Sequence, residues 1–229
     1  MTASFWDRCA PLYDLAEAMN ARPYRCMLQA IKGLVPPGAS VLECAAGTGA
    51  ISLAVAGKAS RVLCTDMSLP MLAQAQKKAW RQGLGNIRFA QRDLHRLPKG
   101  DGLFDVVVAA NVLHLLENPA AALGHLLGAV RPGGMLAVPT FLQGEARPAF
   151  RTVIKAYGLL GFRYCHAFTL ESYRALLKSH CPGKVGACRL PGKVPVGLGI
   201  AWLPAARLEN APLCTPAPRG MTYGKDEWP

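Results

Sequence analysis

Apolar runs of strand length alternate along the chain with segments in which apolar residues recur at helical spacing. Runs at 40–45, 61–66, 86–93, 104–110, 134–141, 184–190 and 195–203 read as strands. Helices are expected from near Thr48, Leu69 and Pro119, the last two opened by the capping residues Ser68 and Asn118 with proline in the first turn. The stripe Leu69, Leu72, Ala75 and Ala79 then reads as the core side of its helix. Residues 12–34 also read as helical, with a break near Pro23 before the turn VPPGA. Further helices are expected at 147–160 and 170–179. Strands that alternate with helices in this way build crossover units on a mostly parallel sheet, so the fold class is α/β.

With 229 residues, 51% of them hydrophobic and 17% charged, the chain suits one domain with a substantial core. Residues 1–204 are assigned to it, with 1–36 as covering helices and 142–182 as pocket helices, and 205–229 as a Pro-rich extension. No apolar run reaches the roughly 18–20 residues of a membrane span, and the start lacks the order of a secretory signal, so a cytoplasmic setting is expected. Eight cysteines without a CxxC pair indicate neither a disulfide framework nor a zinc site, and no metal is expected. The net charge of +12 is concentrated late, with 13 basic residues against three acidic ones from Asn118 to Lys225. These are scattered singly, as on a solubilising surface, and no nucleic-acid signature accompanies them.

The chemistry gathers at VLECAAGTGA (41–50), an apolar strand with an acid near its end, followed by small residues that lead into a helix. Small residues let a ligand approach the backbone, and a helix start offers free N–H groups. Asp66 ends the second strand, where a carboxylate can accept both hydroxyls of a ribose. Asp93 follows the third strand where an adenine amino group would lie, and the Leu94 N–H could meet the ring. A dinucleotide fingerprint would want glycine where Ser52 stands. Glu43, just before the loop, would repel a pyrophosphate but suits an ammonium group such as that of S-adenosylmethionine.

Taken together these motifs resemble the class I S-adenosylmethionine-dependent methyltransferases, and the resemblance covers nearly all of residues 5–203. FWDRCAPLYD is similar to the opening of the ubiquinone/menaquinone-biosynthesis type, VLECAAGTG to the glycine motif and TDMSLPMLAQAQKK to the acidic second loop. RDLHRLP resembles the adenine loop, and RPGGMLAVPTF the fifth strand. The resemblance implies a seven-stranded sheet whose last strand is antiparallel, with N-terminal helices as a lid. It assigns Glu43, Cys44, Ala45, Gly47, Thr48 and Gly49 to the methionine and ribose region, and Asp66 and Met67 to ribose and adenine. Asp93 and Leu94 would meet the adenine, Asn111 would face the methionine end, and Tyr13 would close over it. Ala45 and Ala46 stand where a common form of the motif has glycine and a small residue, which an alanine at negative φ accommodates.

Methyl transfer from a sulfonium is an in-line displacement in which alignment does much of the work. A base is needed only for an acceptor that must lose a proton, and His114 in ANVLHLLEN is the candidate, set against a histidine that merely packs the next helix. His95 and His125 read as structural or solvated, and the strand cysteines Cys44 and Cys64 as core. Tyr164 and His166 are candidates for contact with the acceptor. Phe150, Tyr157, Phe162, Phe168 and Tyr173 would add aromatic wall suited to a quinone or phenol, a carboxylate or a thiol. The sequence NVLH, where base N-methyltransferases carry an NPPY-type loop, speaks against bases in DNA. Two other classes stay open: a nicotinamide-dinucleotide oxidoreductase, and a non-catalytic cofactor-binding protein that docks a polyanion.

Overall fold

The computed structural model describes residues 3–18, 20–97, 104–147 and 164–205. Expectations for the helix at 147–160, for Phe150, Tyr157 and Phe162, and for the extension beyond residue 205 fall wholly or almost wholly outside the described residues. The strands are β1 (Ser40–Cys44), β2 (Arg61–Asp66), β3 (Ile87–Gln91), β4 (Phe104–Ala109), β5 (Val130–Ala137), β6 (Thr140–Phe141), β7 (Lys184–Leu190) and β8 (Val196–Trp202). They form one sheet in which β3, β2, β1, β4 and β5 lie side by side in parallel. β8 runs antiparallel to β5 and to the short β6, which extends the line of β5 beyond Val138 and Pro139, and β7 pairs along its other side. The expected α/β sheet with an antiparallel last strand is therefore present.

Apolar residues that alternate along β1 and β4 fill cores on both faces of the sheet. On one face Val41, Val106 and Val108 meet α3 (Ala21–Leu34), α4 (Ala50–Ala56) and α5 (Leu69–Arg81). On the other, Leu42, Val107 and Ala109 meet α6 (Pro119–Gly128) and a helix we number α7 (Leu170–His180). Tyr173 of α7 is fully buried and its hydroxyl donates to the Val138 carbonyl. Gly199 on β8 lets that ring settle, since a Cβ there would run into the Tyr173 hydroxyl and Leu177. At the edge of the sheet, Arg174 Nη2 donates to the Ala187 carbonyl at 2.7 Å.

Both expected caps form: Ser68 Oγ accepts from Met71 N–H at 3.3 Å, and Asn118 Oδ1 from Ala121 N–H at 2.9 Å. Three expectations move. The helix expected from Thr48 begins at Ala50, because Gly49 is left-handed at φ 76°. The N-terminal break falls between α2 (Tyr13–Ala18) and α3, and not at Pro23. Pro23 is the third residue of α3, where its missing N–H has no helical carbonyl to meet. Leu69 does not join Leu72, Ala75 and Ala79 in the core; it is 58% exposed, since the first helical position turns it about 60° or more away from them at 100° per residue. No helix among the described residues is long and apolar enough to cross a membrane.

Candidate active site

Four parallel strands end at the same edge of the sheet, and the loops that follow them enclose a cleft of about 460 Å³. Ala45 and Gly47 come from the loop after β1, Asp66 and Met67 from that after β2, Asp93 and Leu94 from that after β3, and Asn111 from that after β4. The N-terminal α1 (Ala3–Cys9) and α2 close the cleft with Trp6 and Tyr13, whose rings meet edge to face at 6.0 Å. Trp6 and Tyr13 are seven residues apart, two helical turns, which is the signal by which Trp6 could have been found in the sequence.

Asp66 organises this end of the sheet. Its Oδ2 accepts the Gly47 N–H at 2.7 Å and its Oδ1 the Ser68 N–H at 2.8 Å, so one carboxylate ties the glycine loop to the start of α5. Burial raises its affinity for a proton, and the backbone N–H groups of Ser68, Gly47 and Met67 only partly offset this. Asp93 caps its own turn by accepting the His95 N–H at 2.9 Å. Asn111 is held left-handed at φ 53°, with its N–H donated to the Pro139 carbonyl at 2.7 Å. Its side-chain Oδ1 is buried and has no hydrogen-bond partner among the described residues.

Other expected residues support the cleft from behind. Glu43 is buried and accepts both the N–H and the hydroxyl of Ser52, at 2.8 and 2.5 Å, which anchors α4. Cys44 is buried in the sheet, its thiol pushed up to about 12 by burial, and Gly49 packs against Ala75. Thr48 is buried and donates to Asp14 of α2 at 2.7 Å. None of these four lines the cleft, and each braces the loop or the sheet behind it. Ala45 does line it, but at φ 50°, not at the negative φ that its side chain prefers.

His114 is 1% exposed, does not line the cleft, shares Nδ1 with Thr140 Oγ1 at 3.1 Å, and is held neutral by burial, which lowers it to about 3. Its carbonyl accepts the N–H groups of Cys165 and His166 at 2.8 and 3.1 Å. His166 thereby lies beside the cleft rim, stacked on Phe168 and sharing Nε2 with the Glu117 carbonyl at 3.3 Å, whereas Tyr164 is exposed and outside the lining. Arg92, Met71 and Glu117 line the cleft and were not singled out in the sequence, where nothing marks them as more than loop or helix residues. No cluster of metal-ligating side chains occurs among the described residues.

Residues 41–134 match the model of a methyltransferase domain. Over 174 residues the chain is 35% identical to the demethylmenaquinone methyltransferase of a Parafrankia species, covering 68% of this chain and 66% of that one. It is 30% identical over 131 residues to the ubiquinone/menaquinone biosynthesis C-methyltransferase of Shewanella pealeana, covering 56% of this chain and 51% of that one. The chain thus carries a methyltransferase domain and is similar to the class I S-adenosylmethionine-dependent methyltransferases. Its fold agrees: the magnesium protoporphyrin IX methyltransferase of Synechocystis superposes with a TM-score of 0.60 at 22% identity, covering 79% of this chain and 84% of that one. The chain spans just under two thirds of the length of the Parafrankia relative and about half of the Shewanella one. The residues present suit the family's cofactor, with carboxylates at the ends of β2 and β3 and the bare Asn111 Oδ1 ready to accept from an ammonium.

Proposed function

We propose that this protein binds S-adenosylmethionine in the cleft and transfers its methyl group to a small-molecule acceptor of quinone or phenol, carboxylate or thiol type. The observation that carries the reading is the convergence of Asp66, Asp93 and the unpartnered Asn111 Oδ1 on one cleft. Bound there, S-adenosylmethionine would supply an electrophilic methyl on a sulfonium, which leaves as a neutral thioether when a nucleophile attacks from the opposite side. Asp66 is suited to accept ribose hydroxyls, the Asp93 and Leu94 turn to meet the adenine, and Asn111 to accept from the amino-acid end. Trp6 and Tyr13 exclude water from above.

Catalysis in this reading comes from alignment, not from a buried base. His114 stays neutral and away from the cleft wall, so an acceptor that enters ionised needs no help from it. The setting that goes with this reading is the cytoplasm, and the partner at the cleft is the small-molecule acceptor.

The test is calorimetric titration with S-adenosylmethionine and S-adenosylhomocysteine, with NADH and NADPH as controls. Saturable binding of the sulfur pair alone is expected, with a loss of tenfold or more in Asp66→Ala. Binding of a nicotinamide nucleotide in preference would overturn the proposal.

A further inference from the structure

Helix α5 carries two apolar stripes where one would suffice to hold it on the sheet. Met71, Leu72, Ala75 and Ala79 are buried against the core. Leu69, Ala73 and Trp80, at spacings of four and seven residues, lie on the outer side of the same helix. All three are exposed, Leu69 at 58% and Trp80 at 81%. At 1.5 Å per residue the stripe runs about 16 Å, and burial against the described residues does not account for it.

Three cations of α5 lie along one side of that stripe. Lys77 and Arg81 are exposed on its flank, and Lys78, one step further round, reaches Asp14 of α2 at 2.6 Å. That ion pair brings α2 alongside, where Leu15 is 68% exposed. The face therefore combines an indole, aliphatic side chains and cations, on a chain whose net charge is +12.

We infer that the outer face of α5 docks the protein on an anionic phospholipid surface. An indole rests at the level of the headgroups, aliphatic side chains enter the acyl boundary, and long cationic side chains reach the phosphates from the flank. A single-stranded nucleic acid fits less well, since stacking along a strand calls for successive aromatic rings in a basic groove, and this face has one ring among aliphatic neighbours. The inference is independent of methyl transfer, because none of these side chains lines the cleft.

The experiment is co-sedimentation of the full chain with vesicles of phosphatidylcholine containing about one third phosphatidylserine, beside vesicles of phosphatidylcholine alone. Tryptophan emission is read in parallel. The protein is expected to sediment with the anionic vesicles only, with a blue-shifted emission, and to release as salt is raised. Trp80→Ser, and separately the pair Lys77→Glu with Arg81→Glu, are each expected to weaken partition tenfold or more. Both should keep the melting temperature and the affinity for S-adenosylmethionine, since all three positions are exposed. The inference is overturned if the wild type ignores anionic vesicles, or if Trp80→Ser partitions unchanged. A dimer that depends on Trp80, or displacement from the vesicles by an oligonucleotide bound at Trp80, overturns it equally.

Discussion

Two residues with a strained or buried character set the cost of this site. Ala45 lines the cleft in the left-handed region, where a Cβ is disfavoured by about 1 kcal/mol or more. Relief of that strain exceeds the extra freedom glycine gives the unfolded chain. Ala45→Gly is expected to raise stability by about 0.5 kcal/mol in urea unfolding, and Ala45→Val to lower it. His114 supplies a pH dependence. Burial lowers it from 6.5 to about 3, so the folded state leaves it neutral while the unfolded chain takes up a proton below about pH 6.5. Stability is full above that value and falls on acidification, by about 2 kcal/mol between pH 7 and 5. His114→Gln is expected to flatten that slope in denaturant titrations at the two pH values. Asp66, Asp93 and Asn111 could be placed in the cleft from the sequence because each lies at the end of a parallel strand or within two residues of it, and strand ends are where such sheets bind ligands. The inward turn of Glu43 and the burial of His114 could not, because each depends on a partner, Ser52 or Thr140, chosen only when the elements pack.

At the level of elements, α1 and α2 are fastened over the cleft at two points. Asp7 accepts from Ser68 Oγ at 2.5 Å, and Asp14 holds both Thr48 and Lys78. Burial works against the charge on Asp14, but the hydrogen bonds from Lys78 and Thr48 outweigh it and hold the carboxyl below its ordinary 3.8. Its contribution is thus present above about pH 4 and lost as acid titrates the folded form. Exposed ion pairs are worth less than about 1 kcal/mol. Asp14→Asn should therefore barely alter the melting temperature, yet release S-adenosylhomocysteine several-fold faster in stopped-flow fluorescence. Packing of α7 is less forgiving. Gly199→Ala forces the Tyr173 ring off β8 and is expected to cost about 3 kcal/mol in urea unfolding. The strands and the caps of α5 and α6 were legible in the sequence because they are local signals. The start of α4 and the break before α3 were not, since a left-handed Gly49 and a tolerated Pro23 are written in backbone geometry and not in residue type.

For the whole molecule, the sheet is sealed on both faces by helices and left open along β7, the strand that pairs only with β8 among the described residues. The Gly199 carbonyl is turned toward β5 and β6, where it receives the Val138 N–H at 2.9 Å. Its opposite number on β7, Ala187, must then aim its own carbonyl outward, at the place where another strand would dock. Arg174 occupies that carbonyl with Nε and Nη2, at 3.1 and 2.7 Å. A guanidinium in that position denies a neighbouring chain the first rung of a shared ladder, so this side chain works as a guard against self-association and not as part of the chemistry. Removing it should leave each folded molecule intact while making concentrated solutions turbid sooner: Arg174→Ala is expected to retain the wild-type melting temperature within about 2 °C and to show earlier growth of light scattering on storage.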